Sequence, residues 1–143
     1  HALPLLRKSR GRLAAVSSLA GRTGVPTRSG YAASKHAMTG FFDSLRIELA
    51  GSGVSVTVVY PGFVTTEIHT RAFGADGRPL GTSPLQEGVA MTAEECAARI
   101  VTAVERRRRQ LVMTRRGRLG LWLKLIAPGL VDRIARNAIE RGR

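Results

Sequence analysis

Acidic side chains are scarce in this chain, with 10 Asp and Glu against 23 Lys and Arg and a net charge of +13 over 143 residues. The surplus is local: residues 106–143 hold 12 basic and 2 acidic side chains. Basic runs can bind phosphate groups or anionic lipid surfaces, but are more often solvated faces. Aromatic residues make up only 5%, too few for a base-stacking surface, which makes nucleic acid an unlikely partner. A single cysteine, Cys96, excludes an internal disulfide framework and suits a reducing compartment. Its apolar neighbours mark it as a small core residue. The longest apolar stretch, Leu119 to Val131, is interrupted by Lys124 and Pro128 and is too short to span a bilayer. With no signal peptide visible, the expected location is cytoplasmic, with the basic tail able to touch a membrane surface. His36 and His69 have no carboxylate or cysteine at ligand spacing, so no metal is expected.

Hydrophobic residues make up 43%, and the length suits one domain with a core. There are no internal repeats. His1 to Ser9 carries an apolar helical pattern that reads as the middle of a helix and stops at Gly11. Leu13 to Ser17 is a continuous apolar run of the kind that parallel sheets bury. Tyr31 to Ala50 has helical periodicity, with bulky Phe41, Phe42, Leu45, Ile47 and Leu49, and Gly51-Ser-Gly53 ends it. Val54 to Tyr60 is a β-branched strand closed by Pro61-Gly62. From Phe63 to Val89 the composition turns polar, as in a long loop of the kind that covers sites. Thr92-Ala-Glu-Glu95 is a capping box that starts a helix running to about Arg109. At its end, Arg106 to Arg109 suit the negative pole of the helix dipole. Gln110 to Thr114 makes a third strand.

Alternation of strand and helix predicts an α/β unit with a parallel three-stranded sheet. Two right-handed crossovers in the same direction would put both helices on one face, leaving the other face and one edge bare. The tail, 115–143, has apolar residues at helical spacing interrupted by Pro128-Gly129. It could cover that bare face, lie on a membrane or meet a second subunit.

The stretch from Ser17 to Lys35 carries chemistry. Two hydroxyls, Ser17 and Ser18, close the first strand, and a Gly- and Pro-containing loop leads to a helix bearing Tyr31 and, four residues on, Lys35. That spacing puts the phenol and the ammonium on one helix face. A nearby ammonium favours a phenolate and so makes a phenol a better acid or base. Ser18, thirteen positions before Tyr31, could hydrogen-bond the same substrate oxygen.

Tyr-x-x-x-Lys alone is a weak signal, since the same pair occurs on many helices as a half-buried ring beside a solvated charge. Here Ser17-Ser18-Leu-Ala-Gly21 closes one strand, Tyr31-Ala-Ala-Ser-Lys35 opens a helix, and Val56 to Tyr60 runs into Pro61-Gly62-Phe-Val64-Thr-Thr66. Together these motifs resemble the second half of the short-chain dehydrogenase/reductase family. The resemblance implies the C-terminal half of a Rossmann-type doubly wound sheet over residues 1–114, followed by a basic helical tail.

It further implies an NAD(P)-dependent oxidoreductase that interconverts an alcohol and a carbonyl, on a small or lipid-like substrate. Ser18, Tyr31 and Lys35 match the catalytic group, and Lys35 would also hydrogen-bond the nicotinamide ribose. Pro61, Gly62, Val64 and Thr66 match the loop that holds the nicotinamide, together with Tyr31 and Lys35. The loop beginning at Phe63 would line the substrate pocket, and the long helix from Tyr31 matches one used for subunit contacts, so a homo-oligomer is expected. The family's Gly-rich phosphate loop and its Asn-Asn-Ala-Gly strand have no counterpart in these 143 residues. By itself the chain should lack most of a dinucleotide site. The competing expectations are a non-catalytic basic module that binds anionic membrane or nucleic acid, and a degenerate member kept for dimerisation.

Overall fold

The computed structural model describes residues 1–71, 77–78 and 90–140, and the side chains of 69, 70 and 138–140 fall outside the description. Three strands, β1 (Arg12–Val16), β2 (Ser55–Tyr60) and β3 (Gln110–Val112), form a parallel sheet in the order β1-β2-β3. Helix α1 (Ala2–Ser9) leads into β1 through Arg10, which takes a left-handed conformation at φ 48°. A 3-10 turn (Leu19–Gly21) follows β1 and precedes helix α2 (Ser29–Glu48). After β2 come the short α3 (Ile68–Arg71) and α4 (Ala93–Glu105), the latter capped by Thr92 Oγ1, which accepts from Glu95 N at 3.1 Å. The tail folds as α5 (Arg115–Ile126) and α6 (Pro128–Glu140), divided at Ala127 before Pro128.

Strand alternation fixes which helix covers which face. Val56 packs with Leu45 of α2 and with Leu49 at its C-cap, and the Tyr60 hydroxyl reaches Thr39 of the same helix. Val59, pointing the other way, packs with Cys96 of α4 and Met113. The two helices therefore lie on opposite faces, and the expectation of a shared face is wrong. With three parallel strands in sequential order, opposite faces mean crossovers of opposite hand. On the α4 face the cover is partial over β1, where Val16 is 49% exposed.

β2 is the most deeply buried strand, with Val56 to Tyr60 all buried. Cys96 lies in the core between Val59 and Met113, as its neighbours predict, and burial raises its thiol above its ordinary pKa. The four consecutive arginines depart from expectation. α4 stops at Glu105, and Arg107, left-handed at φ 49°, donates to Gly53 O (2.7 Å) and Arg10 O (2.8 Å). These are turn carbonyls without helical partners, so the side chain ties three segments at one end of the sheet. Arg46 does the same nearby, donating to Val56 O (3.0 Å) and Arg109 O (3.1 Å) while paired with Asp43.

The carboxyl end of β1 meets α2 without an intervening side chain. A Cβ at Gly21 would lie 2.7 Å from Lys35 O, 2.7 Å from Ser17 Oγ and 3.0 Å from Thr39 Oγ1. Ser17 Oγ donates to Lys35 O (3.3 Å), and Thr39 Oγ1 lies 3.1 Å from Lys35 O and 3.2 Å from Gly21 O. One threonine proton is thus shared between two carbonyls.

Two outcomes follow for the natural protein carrying this chain, measured by chemical denaturation. Gly21→Ala forces the helix and turn apart and should cost about 1–3 kcal/mol, whereas Gly24→Ala, with open space around its Cβ, should stay within about 0.5 kcal/mol. Equal effects at the two glycines would refute the close approach. Leu49→Ala leaves a cavity between α2 and Val56 and should cost about 2–5 kcal/mol; a loss under about 1 kcal/mol would place Leu49 outside the core.

Candidate active site

Ser18 sits where β1 ends, as N-cap of the 3-10 turn. Its Oγ accepts from Ala20 N at 3.2 Å, which leaves its own O–H free to donate to another acceptor. Tyr31 occupies the first turn of α2, two residues further into the helix than the sequence pattern suggests, because the helix begins at Ser29. Its ring is 46% exposed. Lys35 lies one turn on, its Nζ 5.6 Å from the Tyr31 ring centroid and 3.7 Å from Met38 Sδ. Among the described residues the half-buried ammonium has no carboxylate partner. Nor is a hydrogen bond described between Ser18 and Tyr31. The two come from elements that the Ser17–Lys35–Thr39 contacts hold together.

Ser17 is buried and donates to the backbone of α2. Thr39 and Tyr60 were not legible as site neighbours. Thr39 is buried four residues after Lys35, and the Tyr60 hydroxyl, itself buried, lies 3.5 Å from Thr39 Oγ1. The helical spacing Tyr31, Lys35, Thr39 puts all three on one face and is the signal that could have found Thr39. Arg22 lies over the Tyr60 ring, 5.6 Å from its centroid, and donates to Gln110 Oε1 at 3.2 Å.

Beyond β2, Pro61 and Gly62 turn the chain beside β3. A Cβ on Gly62 would come within 2.6 Å of Thr114 Cγ2. Val64 forms an isolated parallel bridge with Met91, in which Met91 N donates to Phe63 O (3.1 Å) and Thr65 N to Met91 O (2.9 Å). In such a bridge the N–H and C=O of Val64 itself face away from Met91. Thr66 Oγ1 accepts from Ile68 N at 3.4 Å. Most of the expected lid, Phe63 to Leu85, lies outside the described residues, as does the side chain of His69. His36, on α2, has its Nδ1 2.9 Å from Ala32 O.

These donors fit the nicotinamide–ribose end of a dinucleotide. Lys35 offers an uncompensated ammonium, Ser18 and Tyr31 offer hydroxyls, and Val64 offers a backbone amide with no partner in its bridge. Among the described residues no group of three or more His, Cys, Asp or Glu could hold a metal ion, and no helix is long and apolar enough to cross a membrane.

The model of the short chain dehydrogenase family matches residues 1–76. Among curated relatives, a dehydrogenase/reductase SDR family protein 7-like of Dictyostelium discoideum is 39% identical over 127 residues, 89% of this chain and 39% of the relative. The dehydrogenase/reductase SDR family member 7B of Rattus norvegicus is 34% identical over 140 residues, 97% of this chain and 43% of the relative. The chain thus spans about two-fifths of the length of these relatives. A short chain dehydrogenase from Burkholderia cenocepacia, solved in complex with NADP, superposes with a TM-score of 0.72 at 20% identity, over 92% of this chain and 50% of that one. The parallel α/β fold, the site at the end of β1 and these matches together establish that the chain belongs to the short-chain dehydrogenase/reductase family.

Proposed function

We propose that this chain supplies the catalytic half of an NAD(P)-dependent oxidoreductase that interconverts an alcohol and a ketone or aldehyde. What supports the reading is that Ser18 follows β1 while Tyr31 and Lys35 lie in the first turns of α2, the helix that Ser17 and Thr39 tie to that strand end. The nicotinamide cofactor supplies the hydride chemistry when bound. Tyr31 gives a proton to the carbonyl oxygen during reduction and takes it back from the alcohol during oxidation. Ser18 donates its free O–H to the same oxygen and fixes its position. Lys35, whose Nζ lies 5.6 Å from the Tyr31 ring centroid, would donate to the ribose hydroxyls when the cofactor is bound.

Pro61, Gly62, Val64 and Thr66 would hold the nicotinamide, with the outward-facing amide of Val64 as the donor. NAD and NADP both suit these residues. The exposed Phe41 and Ile47 on α2 support a second subunit as the partner of that helix. A cytoplasmic location goes with a single unpaired thiol and a basic tail.

Tyr31→Phe in the natural protein carrying this chain should lower turnover of a carbonyl substrate by about 10²–10⁴-fold, followed through the absorbance of the reduced nicotinamide. The ring stays, so the melting temperature should hold. Turnover within a few-fold of the parent would sink the assignment of Tyr31 as the proton donor.

A further inference from the structure

We propose that the groove between β3 and α5 binds one single-chain anionic amphiphile, a phosphate or carboxylate head on an alkyl chain. The groove has a volume of about 700 Å³, in the range of small-molecule sites. Its lining includes neither Ser18, Tyr31 nor Lys35, nor any residue of the Pro61–Thr66 loop.

Five cations face it, Arg22, Arg99, Arg108, Arg118 and Lys124, and no Asp or Glu is among the lining residues. Arg99 is the one that is neutralised, by Glu95. Arg22 is spent on Gln110 and the Tyr60 ring, and Lys124 Nζ donates to Arg22 O at 3.1 Å; both keep their charge without a carboxylate. Arg108 and Arg118 have no carboxylate partner among the described residues. Like charges gathered around one hollow repel, and an anion placed among them turns that repulsion into attraction.

The rest of the wall is apolar. Leu111 and Met113 line it from the strand, and Leu121, Trp122 and Leu125 from the helix. Trp122 and Leu125 are 68% and 78% exposed, which is unfavourable without a cover. Guanidinium groups beside an apolar wall match a molecule with a charged head and an alkyl body. The groove is concave and sized for one chain, so the occupant is a monomeric amphiphile rather than a bilayer surface.

The test uses the natural protein carrying this chain and calorimetric titration with decyl phosphate and with 1-decanol, both below the concentration at which they aggregate. Decyl phosphate should bind at least about tenfold tighter than the alcohol of equal length. Replacing both unpaired arginines, Arg108→Gln with Arg118→Gln, should weaken decyl phosphate by about tenfold or more while leaving decanol binding and the melting temperature unchanged. Equal affinity for the two probes overturns the proposal, as does a double variant that binds decyl phosphate as the parent does. Retention on phosphatidylglycerol vesicles without binding of free decyl phosphate also overturns it, in favour of a membrane-facing surface.

Discussion

Where the 3-10 turn crosses α2, two backbones come close enough that only a glycine fits. Gly21 has no room for a methyl group between Ser17, Lys35 and Thr39, and two hydrogen bonds cross the contact, from Ser17 Oγ to Lys35 O and from Thr39 Oγ1 to Gly21 O. Everything at the candidate site depends on this junction. Ser18 follows Ser17 directly, and Lys35 is the residue whose carbonyl receives the bonds, so the same contact sets the separation of the serine from the tyrosine–lysine face. Side-chain chemistry placed on two elements needs such a fixed joint, because small displacements of reacting groups are costly in rate.

The sheet is held differently. β2 is covered on both sides, by α2 through Val56 and Tyr60 and by α4 through Val59. That arrangement makes β2 the centre of the domain and leaves β1 and β3 as edges. At its amino-terminal end, arginines add to the apolar cluster of Leu45, Leu49 and Val56. Arg107 and Arg46 reach carbonyls of segments far apart in sequence, which a guanidinium can do because it carries several donors in one plane. Part of the basic excess therefore serves the fold, and part, at the β3–α5 groove, is left without counter-charge.

Much was legible before any coordinates. The apolar run of β1, the β-branched β2 and the capping box of α4 each specify their element locally, and the structure reproduces them within a few residues. The serine, tyrosine and lysine could be singled out because three motifs at fixed spacings agree, the spacing of four on a helix being weak by itself. The helix faces could not be read in this way. Right-handed crossovers are the rule, yet one of the two connections here departs from it, as the packing of Val56 on α2 and of Val59 on Cys96 shows.

What the sequence by itself determined is the set of elements, the family and the identity of the chemical groups, because these follow from short-range periodicity and motif spacing. The tertiary structure alone decided that α2 and α4 lie on opposite faces, that Thr39 and Tyr60 stand behind the site, and that scattered arginines either cap turns or line a common groove. Each of these depends on pairs of residues brought together from distant parts of the chain, such as Arg107 with Arg10 or Lys124 with Arg22. Periodicity carries no information about such pairs; only packing does.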